Sequence, residues 1–387
     1  MSHALRRSFA ALLTVALAVL ATAPICAQKV KGQSILAPGA IENAVLRDDL
    51  VHPWGLAFLP SGELLVTERP GRLRVWSVAD STLTEPLAGT PEVWAEGQGG
   101  LLDVALDPDF AANRLVYLTY AEAGDDGTAG TALGRGRLAD DLSGLTDFTV
   151  TWRQAPKVEG PNHFGSRIAW APDGTMYVTT GERFLFDPAQ DSTNTLGVVV
   201  RLNPDGSIPD DNPYVGNDRG VDEAIWSFGH RNIESAAVDP RDDKLWIVEM
   251  GPMGGDELNQ PVAMGNYGWP VESWGDNYDG SEIPDPEPGS RFNDAAIHWT
   301  PTISPSGMTF YTGDMFPEWR GTALIGGLTA SGLVRVAIEP DGSAEEVERI
   351  PLGARARAVA EAPDGSVYVL TDADAGKLLR LHMLEEG

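Results

Sequence analysis

The stretch from Ile225 to Pro270 holds side chains able to bind an anion and a cation side by side. Arg231 and Asn232 come first, followed by a strand-like run from Leu245 to Met250. Next is a glycine-rich turn with Gly251-Pro252, then the acidic pair Asp256-Glu257, then the aromatic run Asn266-Tyr267-Gly268-Trp269-Pro270. A guanidinium and an amide suit an anionic ligand, and hard oxygen donors around a tight turn suit a cation such as calcium. Calcium accepts backbone oxygens, so the carbonyls of Gly251 and Pro252 are candidate ligands. The Glu257 carboxylate with the Tyr267 backbone oxygen makes a candidate second, structural site. Any one of these pieces alone is an ordinary surface turn. Their concentration on one short segment makes them a candidate site.

Other polar residues fall in a related position. His163 sits in Gly160-Pro-Asn-His-Phe-Gly-Ser166, just ahead of an apolar strand-like run, and imidazole is suited to general base work near neutral pH. Gln98 lies in a corresponding place before Leu101, and Arg355 and Arg357 before the run that starts at Ala358. The two arginines alternate about Ala356, so in an extended chain both point one way. Parallel guanidiniums suit a ligand with several carboxylates; the plainer alternative is a pair of surface salt bridges of little energetic weight.

These positions need a scaffold that repeats. From about Asp48 onward the chain alternates short apolar runs with Pro-Asp-Gly-type turns. The same hairpin unit starts at Trp54, Asp103, Ser166, Ser235, Gly307 and Ala358. Hairpin repeats at roughly 40–50-residue or longer intervals are the signature of a β-propeller. The expectation is an all-β, six-bladed β-propeller of four-stranded antiparallel blades over residues 48–387, with a β-sandwich as the competing fold. Residues preceding the first strand of successive blades share one face around the central channel. The long insertions Phe184 to Thr195 and Trp269 to Phe292 are expected to carry function there.

Residues 1–27 read as a secretory signal peptide: Arg6 and Arg7, an apolar run from Phe9 to Leu20, then small residues up to Ala27. Residues 28–47 read as an N-terminal extension. The residues before Cys26 make a poor lipobox, which favours cleavage near Ala23 or Ala27; a cut at Ala27 leaves no cysteine. The expectation is a periplasmic or secreted protein with no membrane span in the mature chain. The formal net charge is −28, more negative still once Arg6 and Arg7 leave. So acidic a protein is poorly suited to nucleic acid or anionic membranes.

The ordered segments around Gln98, His163, Arg231, Gly251, Tyr267 and Arg355 resemble those of soluble aldose sugar dehydrogenases that use pyrroloquinoline quinone, within the glucose and sorbosone dehydrogenase superfamily. The resemblance runs from about Val51 to Leu381. It implies His163 as the base that takes a proton from the sugar's anomeric hydroxyl as hydride passes to the quinone. It implies Gln98, Arg231, Asn232, Arg355 and Arg357 as cofactor contacts, Gly251 and Pro252 as carbonyl ligands of a catalytic calcium, and Glu257 and Tyr267 as the second calcium site. The implied partners are an aldose substrate and an external electron acceptor. The chain departs from the family at three places: Met250 where His is frequent, Thr329 in place of a cofactor-binding lysine, and Ala358 where an acidic residue commonly follows the second arginine. Two other functions fit a propeller of this kind. A calcium-dependent lactonase would gather carboxylates and an Asn around one channel metal, and a sugar-binding propeller without activity would keep the scaffold alone.

Overall fold

The computed structural model describes residues 41–384. Six four-stranded antiparallel sheets form a six-bladed β-propeller. The six hairpin units are the first two strands of the six blades. Their innermost strands are Pro53–Phe58, Leu101–Leu106, Ile168–Trp170, Ile233–Val238, Pro305–Phe310 and Ala356–Glu361. Each innermost strand packs against the next, and the sixth against the first, so the ring is closed.

Five blades take their strands in chain order, the fourth with the short pair Met253–Gly254 and Gly275–Asp276 interleaved as a separate two-stranded sheet. The sixth takes Ala356–Glu361, Val367–Thr371 and Gly376–Met383 from the end of the chain and adds Ile41–Leu50 as its outermost strand. Ile41 pairs with Met383 and Leu50 with Gly376. This corrects the expected boundary at residue 48, since residues 41–47 belong to the propeller. The pattern hid the strand because most of it is only half covered, with Leu50 alone fully buried. The expected signal peptide and residues 28–40 lie outside the described residues.

Every blade is apolar on both faces, as an alternating strand must be when it is flanked by neighbours on either side. Among the described residues six apolar clusters lie one at each blade interface, and two smaller ones gather around Trp54 and around Trp269. Leu65 and Val75 meet Leu101 and Leu118 between the first two blades. Leu64, Val66 and Trp76 meet Ala358, Leu370 and Leu378 where the last blade closes on the first.

A repeated hydroxyl bridge sets the spacing between blades. Thr67 Oγ1 accepts the Gly55 N–H at 2.8 Å and donates to the Leu102 carbonyl of the next blade at 2.5 Å. Thr119 accepts from Asp103 and donates to Ser166 at 2.6 Å, and Thr179 accepts from Arg167 and donates to Ile233 at 3.0 Å. In the fifth blade Ser306 does the same job towards Ala356, at 2.6 Å. Irregular pairing at the start of the first two innermost strands frees a backbone N–H for the hydroxyl.

In the bore, Arg167 crosses between blades. Its Nε donates to the Glu234 carbonyl at 2.7 Å, Nη1 to Asp103 at 3.0 Å and Nη2 to the Arg357 carbonyl at 3.0 Å. The guanidinium lies 3.8 Å from the ring of Trp54. One side chain thereby touches blades one, two, four and six.

Thr119→Val keeps the side-chain shape but strands a buried N–H and a buried carbonyl. We expect it to destabilise the protein by about 1–3 kcal/mol, read as a lower urea midpoint at unchanged m-value.

Candidate active site

Loops leading into the innermost strands bring the sequence candidates to one end of the bore. The Gln98 side-chain oxygen accepts the His163 N–H at 2.7 Å, and the Gln98 N–H donates to Pro161 at 2.8 Å, so the second and third blades present their loops as one unit. His163 is buried, with Nδ1 2.7 Å from Glu182 Oε1. Glu182 is fully buried and also accepts the N–H of Phe186 at 3.0 Å. An ionised carboxylate can only accept, so Nδ1 carries the hydrogen and Nε2 keeps the basic lone pair. Burial pushes the imidazole below its ordinary value, with Arg231 repulsion acting the same way and the Glu182 hydrogen bond opposing. His163 is thus held neutral in one tautomer. Its backbone is left-handed, at φ 54°.

Arg231 stands beside it. Nη1 donates to the carbonyls of Met250 at 2.9 Å and Gly251 at 2.7 Å, and Nη2 to the Tyr278 hydroxyl at 3.2 Å. Its guanidinium lies over Trp269 and Tyr278, at 5.2 and 5.7 Å. Arg231 Nε is buried with no acceptor. The Gly251 carbonyl is therefore shared with an arginine, which the sequence did not anticipate. Pro252 follows it and is buried. The two long insertions meet here, because Phe184 lies 5.1 Å from the His163 ring and 6.2 Å from Tyr278.

Asn232 is fully buried, with Oδ1 on the Gly165 N–H at 3.1 Å and Nδ2 on Glu234 at 3.0 Å and Met250 Sδ at 3.9 Å. In this arrangement it fixes the loops around it. Met250 fills the space beside that amide. Arg355 and Arg357 point the same way and converge on Asp372, at 3.0 and 3.1 Å. The acid absent at position 358 is thus supplied across the hairpin. Arg357 is buried, also pairs with Glu234, and leaves its Nε without an acceptor; Arg355 is half exposed. Arg69 joins the same group, feeling the charges of Arg357, Asp372 and Glu234. Thr329 is exposed and donates to the Thr302 carbonyl at 2.8 Å.

A small cavity next to Arg231 is lined by Glu249, Glu257, Glu272, Gly251, Gly255 and Tyr267. It has room for about one water-sized particle. Glu249 takes His230 Nδ1 at 2.8 Å, Asn259 at 3.1 Å and the Arg231 N–H at 2.7 Å. Glu257 takes the shared Asn259 amide, at 3.1 Å. Burial and the Glu249 charge push the Glu257 carboxyl well above the usual carboxylate range. Asp256, which accepts the N–H groups of Gly251 and Ser304, is pushed up to about 7 by burial. Glu249 is buried and Glu257 partly buried, both face one cavity, and no lysine or arginine side chain pairs with either among the described residues; together they are a cation-binding donor set. Among the described residues no three His, Cys, Asp or Glu side chains gather as a metal site.

Sequence reasoning missed Glu182, Glu234, Asp372 and Tyr278. A signal for the first existed, since His163 precedes Glu182 by 19 residues and His230 precedes Glu249 by the same 19. The others are ordinary-looking residues brought in by the ring.

Similarity to known proteins points to one family. Residues 50–380 match the family model described as glucose/sorbosone dehydrogenase. The chain is 44% identical over 349 residues to the aldose sugar dehydrogenase YliI of Escherichia coli strain K12, covering 89% of this chain and 94% of that one. The crystal structure of the soluble aldose sugar dehydrogenase of E. coli in its apo form superposes with a TM-score of 0.85 at 44% identity, over 89% of this chain and all of that one. The PQQ-bound aldose sugar dehydrogenase of Streptomyces coelicolor superposes at 0.73 and 28% identity, over 90% and 100% of the two chains.

A carboxyl group whose folded value is raised stabilises the fold below its unfolded value, and that contribution is lost as pH rises through the folded value. The protein without added metal should therefore lose stability through Asp256 between about pH 4 and 7, and through Glu257 over a range that also begins near its ordinary value. Glu257→Gln keeps the Asn259 contact without the charge. It should raise the thermal midpoint at neutral pH and flatten the pH dependence, as measured by calorimetry from acid to neutral pH.

Proposed function

The chain belongs to the glucose/sorbosone dehydrogenase family and is a sugar oxidoreductase, and on that premise we propose that it oxidises the anomeric hydroxyl of an aldose to the lactone. The proposed cofactors are pyrroloquinoline quinone and calcium. The observation that carries this reading is the neutral, buried His163–Glu182 pair set beside Arg231 in an otherwise acidic protein.

The residues present fit such a cofactor. Arg231 and Arg357 each keep a buried Nε without an acceptor, the unmet need that a ligand with several carboxylates would satisfy. Arg231, Arg357, Arg355 and Gln98 would hold it, while Asn232 supports the loops behind. The carbonyls of Gly251 and Pro252 would bind the catalytic calcium, Arg231 yielding its contact with Gly251. Glu257 and the Tyr267 carbonyl, with Glu249 adjoining, would bind the structural one. When bound, the quinone supplies an electrophilic carbonyl that accepts hydride, polarised by calcium.

In the proposed reaction His163 Nε2 takes the proton of the anomeric hydroxyl. Glu182 fixes the tautomer through Nδ1 and stabilises the imidazolium that results. Phe184, Trp269 and Tyr278 would form an aromatic rim beside the reacting carbon. Residues 1–27 and 28–40 are proposed to be the signal peptide and a short extension of an exported, periplasmic enzyme that passes its electrons to an external acceptor. Among the described residues no helix is long and apolar enough to cross a membrane.

Purified protein given pyrroloquinoline quinone and calcium should reduce a dye when any of several aldoses is added. No reduction despite cofactor binding would sink the reading. His163→Ala should lower kcat by about a hundred- to ten-thousand-fold. The base works as neutral imidazole and burial lowers its value, so activity should rise with pH through a midpoint below 6.5. Calcium alone, at about a hundred times its Kd, should stabilise the protein by about 2.7 kcal/mol, and Glu257→Gln should reduce that shift.

A further inference from the structure

Four consecutive residues beyond the second strand of the third blade all bear on His163. At Gly181 a side chain is excluded, since a Cβ there would sit 2.3 Å from the His163 carbonyl oxygen. Glu182 holds Nδ1 of the ring. Phe184 meets the ring edge-on, at 5.1 Å and 89°. Between them, Arg183 is 1% exposed and touches no part of the imidazole.

Arg183 spends its hydrogen bonds on backbone. Its Nε donates to the Asn162 carbonyl at 2.8 Å, Nη2 to the Gly160 carbonyl and Nη1 to the Ala129 carbonyl of the second blade. The guanidinium stacks 3.7 Å over the ring of Phe164. Its partners therefore flank His163 on both sides in sequence, at residues 160, 162 and 164. No carboxylate accepts from it, so its charge is buried against carbonyl dipoles and a ring face, an arrangement that costs desolvation and needs a return.

The return is the shape of the loop. His163 and Ser166 are left-handed, at φ 54° and 91°, and Arg183 and Phe184 also, at φ 63° and 62°. Such conformations are unfavourable for residues with a Cβ and persist only where the surroundings over-determine them. A planar fork with three directions can fix three carbonyls at once; an ammonium cannot match that geometry. Glutamate and arginine thus divide one task, Glu182 setting the ring and Arg183 the backbone that carries it.

We propose that Arg183 is a positioning residue for the oxidation, holding residues 160–164 in the strained conformation that places His163 on Glu182. The proposal rests on the reading of His163 as the base. Its first test does not depend on turnover. The His163 Nδ1–H, bonded at 2.7 Å to a carboxylate, should give a downfield, exchange-protected proton resonance in the full-length protein without added cofactor, assigned by its loss in His163→Gln. Arg183→Met should abolish that resonance, and Arg183→Lys should move it upfield and broaden it. In protein reconstituted with quinone and calcium, kcat should fall about a hundredfold for Met and about tenfold for Lys, with KM for the sugar changed less than about threefold. If the Met variant does not fold, the Lys variant decides. A folded Lys variant with the wild-type resonance and kcat overturns the proposal, as does a rise in KM at constant kcat in either variant. Full activity in His163→Gln would instead remove the base assignment, leaving the resonance to judge the clamp on its own.

Discussion

One guanidinium in the bore holds the inner ring in register. Arg167 reaches Asp103, the carbonyls of Glu234 and Arg357, and the face of Trp54. These are strands of different blades, far apart in sequence. A buried arginine is tolerable only when its donors are satisfied and its charge is balanced. Here both conditions need the ring to be complete, because no single blade supplies enough partners. The residues it joins are neighbours of the site: Glu234 binds Asn232 and Arg357, and Arg357 shares Asp372 with Arg355. Floor and mouth are therefore parts of one network.

The mouth inverts the character of the whole. The protein is strongly acidic, yet Arg69, Arg231, Arg355 and Arg357 gather where the loops converge, with Glu234 and Asp372 between them. A short distance away the imbalance is the reverse, with Glu249 and Glu257 lining a small cavity. An anion would satisfy the first group and a cation the second. The neutral histidine sits beside this divided field, and its neutrality follows from burial more than from any one neighbour.

Most of the fold could be read from the chain because each blade's leading hairpin is local: two apolar runs and a turn declare themselves within about twenty residues. The closing strand could not, since the partners of Ile41–Leu50 lie at the other end of the sequence. The same division holds at the site. Gln98, His163 and Arg231 all lie within a few residues ahead of an innermost strand, so the repeat exposes them. Asp372 lies on the far side of a hairpin and Glu182 at the end of a second strand, where acids are common for other reasons. Thr329 and Met250 were visible as departures, but only the structure shows what each one now touches. For Asn232 the residue type suggested a ligand contact, whereas its complete burial ties it to Gly165, Glu234 and Met250.

The strand from Ile41 to Leu50 also fixes a sequence of events during synthesis. It is among the first described segments to be made, and its edge stays unpaired until Gly376–Met383 has been produced. A truncated product can carry every residue of the mouth and still lack the joint that holds the circle shut. Long-range closure of this kind slows folding. The strand Gly376–Met383 is the latch that holds the ring shut.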